Sequence, residues 1–481
     1  MKKFGLKNNI AAFILISFSF SHSFSQEKMG IENSNYSSTN SIYLNPASSV
    51  DSRTFINMNL IGVNAYVMTN LAYLPKFSMW RAASFHSQPV IDPGTWSKFL
   101  YGNFALDGPA VVISHRRIGI GLFVRVRSMI DIRNIPYQLT KILLPQKLDT
   151  TVPSEVSFDV RNAKISNMTW AEYGLNFGGM IKKHNGLLIT AGGNLKYLTG
   201  IDLMYANLNR FDAYMKDRVI NVKELNGTIR SSQGGWGSGK GVGLDLGVQY
   251  RRALKSETEY EGYYVNSKRS NCENIDYLYK AGISILDLGY INFDTKTYKA
   301  DVNGSLYIAD YKKVKNLDSL IRDGFHATQE REVPIMTCLP TALSAQLDLN
   351  MSHHIYLNGT IIAGIVPTSF TGVQRANQLS ITPRYERKQF EVAVPLTFHR
   401  FIYPQLGLAV RIRSCVFGVD NVLPLMIAAH TYGLNAYFNL GISLFKNPVC
   451  RVKHYRKKKE KTKKRDTSAC PKFGKRNILG F

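Results

Sequence analysis

The stretch that decides the fold is 118–127, which reads Ile-Gly-Ile-Gly-Leu-Phe-Val-Arg-Val-Arg. Leucine or β-branched side chains occupy every second position, and glycine, phenylalanine and arginine stand between them. Successive side chains of a strand point to opposite faces, so this period predicts a β-strand with one apolar face and one mixed face. The same alternation runs through 242–251 and 432–445.

The period of two recurs along the middle of the chain, and we predict about fourteen strands. The eleven further segments that carry it are 54–63, 105–116, 169–180, 186–198, 281–293, 340–350, 354–366, 377–386, 389–400, 404–414 and 415–421. Pro383 and Pro395 fall inside two of these segments. Because proline donates no ladder hydrogen bond, the register of these two strands stays open.

A membrane barrel fits these strands better than a soluble sandwich does. Their apolar faces are large and often aromatic, and the opposite faces carry mostly glycine, asparagine, arginine and aspartate. A barrel turns its apolar face to lipid and its polar face to the lumen, and its tilted strands need about ten residues. We therefore predict an all-β fold, a transmembrane antiparallel β-barrel of about 14 strands, with 54–446 as the barrel.

The predicted connections alternate in length, as expected for short inner turns and long outer loops. The short set is 114–117, 182–186, 351–354 and 387–389, and the long set is 67–104, 129–167, 199–240 and 294–338. One long connection, 252–279, falls on the short side. Two explanations stay open for it: a pair of undetected strands, or an insertion at the inner end.

Much of the chain's charge lies at its ends. Among 481 residues, 60 Lys and Arg against 34 Asp and Glu give a net charge of +26. Residues 1–25 place three lysines before an apolar run and then small residues, which is the order of a secretory signal peptide. We predict 26–53 as a periplasmic or plug segment. Export removes nucleic acid from the expected partners.

Residues 447–481 form a strongly basic tail without an apolar stripe, which predicts a disordered periplasmic terminus. Its densest charges are Arg456, Lys457, Lys458, Lys459, Lys463, Lys464 and Arg465. Such a cluster is typical of a docking arm for anionic lipid, cell-wall polymer or another envelope protein. Besides outer-membrane lipid, these are the predicted partners.

A set of charged side chains shares the face that is predicted to line the lumen. Its members are Arg125, Arg127, Lys196, Asp245, Arg251, Arg384, Arg411 and Arg413. Two interpretations stay open. The set forms either a cationic constriction that favours anionic solutes, or a mutually neutralised network that fills a closed barrel.

The sequence offers little for enzyme chemistry. Its five cysteines are scattered without a CxxC pair. The stretch 234–240 has the glycines and lysine of a phosphate-binding loop, but Gly241 and a predicted strand follow it where a hydroxyl residue and a helix belong. We predict no enzyme activity, no cofactor and no metal.

Three segments carry a resemblance to known barrels. They are the run from 36 to 47 that ends in Asn45-Pro46-Ala47, the triplet Asp107-Gly108-Pro109, and 281–291. In this order they resemble an uncharacterised family of outer-membrane barrels that is similar to FadL-like barrels and to PorV- and PorP-type barrels of type IX secretion. The resemblance implies about 14 strands and an N-terminal segment that plugs or lines the lumen. It implies no activity.

Two functions follow as hypotheses for an outer-membrane protein of a Gram-negative bacterium. The first is an accessory or scaffold subunit of an envelope secretion or assembly complex, which docks partners through its loops and basic tail. The alternative is passive transport, either FadL-like uptake of an apolar solute or a narrow pore.

Overall fold

The computed structural model describes most of the chain between Lys28 and Phe445. The described ranges are 28–78, 89–94, 97–115, 117–137, 155–216, 219–255, 264–265, 268–269, 276–308, 328–352, 354–366, 370–427 and 429–445. The predicted signal peptide and the basic tail, with all seven of its candidate docking residues, lie outside these ranges. Among the described residues, no helix has the length and hydropathy required to cross a bilayer.

The wall of the fold is one antiparallel sheet closed on itself, which confirms the predicted fold class. Its strands are β1 Thr54–Thr69, β2 Lys98–His115, β3 Ile118–Ile135, β4 Glu155–His184, β5 Leu187–Lys216, β6 Gly239–Ala253, β7 Tyr277–Phe293, β8 Ala342–Ser352, β9 Ile355–Gly364, β10 Gln378–Glu386, β11 Phe390–Ala393 with Leu396–His399, β12 Tyr403–Leu406 with Leu408–Ile412, β13 Cys415–Val419 and β14 Gly433–Phe445. Each strand pairs with its sequence neighbours. Closure comes from β1, which pairs with β2 on one edge and with β14 on the other, from Thr54 opposite Phe445 to Ile61 opposite Leu440.

The burial of the wall is inverted relative to a soluble protein. Along β3, Ile118, Ile120 and Leu122 are 57%, 48% and 52% exposed, whereas Gly119, Gly121 and Phe123 between them are buried. The apolar side chains therefore form the outer surface of the barrel. This is the geometry of a sheet whose outside is solvated by lipid and whose inside is filled.

Several strands run far beyond the predicted bounds. β4 and β5 each have 30 residues, about 100 Å at 3.3 Å per residue, so their outer halves project past the apolar band. Strands Val219–Ser232, Thr297–Ile308 and Thr328–Arg331 continue this projecting sheet, and Ile335–Cys338 pairs with the outer end of β7. The predicted outer loops 199–240 and 294–338 thus contain paired strands. Alternation persists in these stretches, so the prediction of loops there is wrong.

The long inner connection is an insertion. β6 and β7 pair directly, from Ala253 opposite Tyr277 to Gly239 opposite Phe293, so no wall strand lies between them. Residues 254–276 follow at the end where the other connections are short. Their described part includes a minimal hairpin of Tyr264–Val265 with Lys268–Arg269.

The two prolines occupy positions where no ladder donor is needed. Pro383 lies within β10 opposite Leu357, and its carbonyl accepts from the Val394 backbone N–H at 3.1 Å. Pro395 divides β11 into two parts, and its carbonyl accepts from the Gly407 N–H at 2.7 Å, where β12 is also interrupted. Each proline therefore serves as an acceptor only.

The remaining short elements lie at the outer end and inside the lumen. Ala72–Phe77, Val90–Ile91 and Ala429–Thr431 form a small separate sheet. Residues 28–53 lie within the barrel, and we call them the inner plug. The plug contains helix α1, Ser38–Ser41, and a 3-10 turn, Pro46–Ser49, while helix α2, Leu423–Met426, precedes β14.

Candidate functional site

The inner plug seats its Asn-Pro-Ala turn against glycines of the wall. A Cβ built on Gly192 would lie 2.8 Å from the Ala47 nitrogen, and one on Gly119 would lie 2.6 Å from Ser49 Oγ. Glycine on the lumen face is therefore what allows the plug backbone to approach the strands. The contact with the plug thus explains why glycines alternate with apolar residues in these strands.

Asn45 shapes the turn and fixes it to the wall. Its Oδ1 accepts from the Ala47 N–H at 3.0 Å and so caps the 3-10 turn, in which Pro46 takes the first position. Its Nδ2 donates to the Val248 carbonyl at 3.2 Å and to Gln346 Oε1 at 3.1 Å. The motif is therefore both a local cap and an anchor.

Buried ion pairs hold both ends of the plug. Lys28 Nζ pairs with Asp107 and donates to Asn439 Oδ1 at 2.9 Å. At the other end, Arg53 Nη2 lies 2.8 Å from Asp276 Oδ1, and its Nη1 lies 3.4 Å from Glu386 Oε1. Ion pairs removed from water are strong only when each charge keeps its partner, so these contacts fix the plug in place.

A central ion layer crosses the lumen above the plug. It consists of three cations and three carboxylates, Arg127, Lys196, Arg375, Glu172, Asp245 and Asp287, all less than 5% exposed. The formal charges cancel. The Arg127 guanidinium lies 3.0 Å from Glu172 and 2.8 Å from Asp287, and the Lys196 ammonium lies 2.8 Å from Asp245 and 2.7 Å from Asp287.

Asp287 is the hub of the central ion layer. Its carboxylate also receives Arg375 Nη1 at 3.4 Å, and its backbone N–H donates to Asp245 Oδ1 at 2.7 Å. It sits at a bulge in β7 with a left-handed φ of 54°. A non-glycine residue in this region is strained, and the surrounding ion pairs hold it there.

The other charged residues predicted for the lumen divide into two groups. Arg125 lies 2.9 Å from Asp107, Arg384 lies 2.8 Å from Asp348, and Arg411 lies 2.8 Å from Glu391. Arg251 pairs with Asp51 of the plug. Arg413 does not join them, because it is exposed in the turn between β12 and β13, with a φ of 54°.

An apolar layer lies on the outer side of the central ion layer, and the sequence patterns did not predict it. We call Tyr66, Phe99, Tyr101, Met129, Trp170 and Phe293 the outer aromatic cluster; each is at most 3% exposed. Their side chains face inward. Each residue lies close to the outer end of a predicted strand segment or beyond it. The available signal was the continued alternation past those ends, for example from Arg127 to Met129 on β3.

His399 lies inside the outer aromatic cluster. Its ring is fully buried, with its centroid 5.1 Å from that of Tyr66 and 5.4 Å from that of Tyr101. Among the described residues, neither ring nitrogen has a hydrogen-bond partner. A buried imidazole without partners loses the hydrogen bonds that it makes to water, so its burial costs free energy.

A second segment closes the lumen from the outer side. Residues 371–377, which precede β10, fold inward, and we call them the outer flap. Val373 and Ala376 pack on the outer aromatic cluster, while Arg375 reaches the central ion layer. The Cys338 N–H donates to the Thr371 carbonyl at 3.0 Å and ties the flap to the wall.

Among the described residues, no group of three or more His, Cys, Asp or Glu side chains has the arrangement of a metal site. What the lumen offers is a stack of layers. From the inner end these are the plug, the ion layer, the aromatic cluster and the flap. The fold and this lumen define an outer-membrane type of β-barrel with a filled interior.

The chain belongs to the family of unknown function DUF5723, whose model matches residues 46–420. No curated protein sequence matches it significantly. Several solved structures are similar to the chain. The Pseudomonas putida toluene transporter TodX is 10% identical over 85% of this chain and 94% of its own, with a TM-score of 0.36. A TodX monoaromatic hydrocarbon channel mutant, deltaS2, is 10% identical over 84% and 93%, with 0.41.

A FadL homologue from Pseudomonas aeruginosa is 10% identical over 87% of this chain and 98% of its own, with a TM-score of 0.25. The FadL-like part of the resemblance thus reappears among these matches, and the PorV-type part stays a prediction. The barrel architecture itself follows from the strand pairing of this chain.

Proposed function

We propose that this protein is a passive transporter that admits a small, largely apolar solute through a gated lumen. The observation that carries the proposal is how the lumen is closed. Two chain segments, the inner plug and the outer flap, fill it. Neither is a strand of the wall, and the flap is held by the backbone hydrogen bonds from Cys338 to Thr371 and from Arg400 to Asn377. This favours the transport alternative over the scaffold hypothesis.

The layers suggest the kind of solute. The outer aromatic cluster provides an apolar surface, and burial of an aromatic ring of about 150 Å² stabilises its complex by roughly 4 kcal/mol at 25 cal/mol per Å². The central ion layer opposes such a solute, because the solute would desolvate charges without pairing them. Passage therefore requires that the flap withdraw Arg375 and that the plug move.

A reversible crosslink tests the gate. Ser38 Oγ on the plug and Thr54 Oγ1 at the start of β1 are 3.2 Å apart, so cysteines at both positions approach disulfide geometry. In intact cells, whose outer leaflet slows apolar solutes, S38C/T54C under oxidising conditions should lower the uptake of radiolabelled toluene to that of barrel-free cells. Reduction should restore it, and S38C alone is the matched control.

Uptake that continues through the oxidised, crosslinked barrel would contradict transport through the lumen. Crosslinking is followed separately by mobility on a non-reducing gel. An uncrosslinked sample therefore cannot be mistaken for a negative result.

A specific observation also supports the scaffold as a second candidate. The projecting sheet carries exposed ion pairs such as Arg161 with Asp159 at 2.9 Å and Arg210 with Glu224 at 2.9 Å. It offers a broad polar surface for a partner outside the membrane. The tail residues proposed for docking would serve the opposite, periplasmic side.

Co-purification separates this candidate from transport. The full chain and a chain without 447–481 are each extracted in detergent and captured by an affinity tag. A stoichiometric envelope protein bound only to the full chain supports docking through the tail. Loss of a partner from both forms when Arg161 and Arg210 are changed to Glu supports the projecting sheet. Two forms that purify alone would contradict the scaffold.

A further inference from the structure

Among the described residues, three cations lie near one carboxylate at the outer end of the lumen. Arg133 on β3 and Lys164 on β4 are direct cross-strand partners, and Arg400 follows β11. Asp131, two residues before Arg133, forms an ion pair with it and lies near enough to Lys164 and Arg400 to act on them electrostatically. Like charges directly opposite each other destabilise a sheet unless something of opposite charge lies between them.

Lys164 is the member whose ammonium has no acceptor within hydrogen-bonding distance. The residue is only 5% exposed, and among the described residues its Nζ donates no hydrogen bond. It lies 5.0 Å from the centroid of the Tyr205 ring, which provides a cation–π contact but no acceptor. A buried ammonium without an acceptor is costly, which marks this position as one that an anion would complete.

The Asp131 carboxylate is used through one oxygen, and among the described residues its Oδ2 has no hydrogen-bond partner. Asp131 Oδ1 accepts from Arg133 Nε at 2.7 Å. The four groups together carry a formal charge of +2. The third cation, Arg400, has its guanidinium carbon 4.3 Å from the centroid of the Phe99 ring. The cations therefore border directly on the outer aromatic cluster.

The ligand that fits has a carboxylate and an aromatic ring. Ammonium and guanidinium groups bind carboxylates through charge-assisted hydrogen bonds. Arg133, Asp131 and Met129 lie in this order on the inward face of β3, from its outer end toward the outer aromatic cluster. The lining therefore changes from charged to apolar within one strand. Rings stack favourably on Phe99 and Tyr205, and guanidinium groups favour such faces as well.

We propose that Lys164, Arg133 and Arg400 form an anion-binding site that takes an aromatic carboxylate as the solute enters. This deepens the proposed transport function, since it names the class of solute, but binding can be measured apart from transport. The site also touches the flap. Arg133 donates to Gln374, and the Arg400 N–H donates to the Asn377 carbonyl at 2.7 Å.

The test is calorimetric titration of benzoate into the detergent-purified full chain. Wild type should bind benzoate, and K164M, which keeps the length of the side chain and removes its charge, should bind at least about tenfold more weakly. Lys216 is the matched control. It is exposed, lies 3.7 Å from Glu155 on β4, and K216M should bind like wild type.

Two further ligands sharpen the result. Benzamide, which is neutral and nearly the same shape, should bind weakly and equally to wild type and K164M. Sulfate should compete with benzoate only at much higher concentration, because it lacks the ring. If sulfate binds as tightly as benzoate, the site is a general anion site and the aromatic part of the proposal is wrong.

Equal benzoate binding by wild type and K164M, or no binding by wild type, would overturn the anion site. R133Q provides a second variant if K164M fails to fold, which is checked by heat-modified gel mobility. If wild type binds benzoate and the crosslinked barrel still takes up toluene, the anion site is supported and the transport function is contradicted. If crosslinking blocks toluene uptake and wild type does not bind benzoate, the transport function is supported and the anion site is contradicted.

Discussion

Arg127 on β3 reaches Asp287 on β7 across the lumen, with its Nη1 2.8 Å from a carboxylate oxygen, although β4, β5 and β6 lie between the two strands in the wall. This contact joins two sides of the barrel that are 160 residues apart in sequence. It divides the lumen into an inner part that holds the plug and an outer part that holds the outer aromatic cluster. Asp287 also holds Arg375 of the flap, so one carboxylate connects wall and gate.

Neutralising Asp287 should destabilise the barrel strongly. D287N leaves Arg127, Lys196 and Arg375 buried with too few carboxylates, and breaking a buried pair in this way costs about 3–5 kcal/mol. The free energy of unfolding in urea, measured in detergent micelles, checks it. Asp159 is 41% exposed in its pair with Arg161, so D159N should cost less than about 1 kcal/mol. Equal effects of the two variants would contradict a buried hub.

Removing Arg375 should loosen the flap without opening the wall. R375A loses its contact with Asp287. Each 1.4 kcal/mol by which this loss destabilises the closed position of the flap raises the population of the displaced flap about tenfold. In planar bilayers, R375A should show ion-conducting openings more often than wild type. R161A removes an exposed arginine of the projecting sheet and should conduct like wild type. A silent R375A barrel would show that the plug alone seals the lumen.

Adjacent glycines of β4 offer a test of the plug seat. A Cβ on Gly178 would lie 2.6 Å from Ser49 Oγ and 2.7 Å from Val50 Cγ2, whereas one on Gly179 meets no atom within 4 Å. G178V should therefore displace the plug and G179V should not. A cysteine placed at Ala47 reports the difference, because a membrane-impermeant maleimide should label it faster in G178V. Equal labelling would contradict the seat.

Replacing Lys164 should stabilise the ligand-free protein, which is the opposite sign to D287N. K164M removes an unpaired buried ammonium and leaves a methionine that packs on Tyr205, a gain of about 1 kcal/mol. The midpoint of thermal unfolding should rise without benzoate, and benzoate should stabilise wild type only. A fall in the midpoint would indicate that Lys164 has a structural partner.

The sequence predicted the wall well because its signal is local. All fourteen segments with a period of two are strands, and the lumen placement of Arg127 or Lys196 follows from counting alternate positions. The bounds were short where inward positions changed from polar to apolar, as at Met129. There the contrast between faces disappears, so alternation alone no longer marks the strand.

What the sequence determined by itself is therefore which fourteen segments form the core of the wall and, apart from turn residues such as Arg413, which side of the wall their residues face, because both depend on neighbours along one strand. Only the tertiary structure decided the contents of the lumen. The pairing of Arg127 with Asp287, the seat of Asn45 against distant glycines, and the unpaired Lys164 depend on strands that meet across the barrel. Their distances are set by closure of the sheet, and no periodicity within one segment encodes that closure.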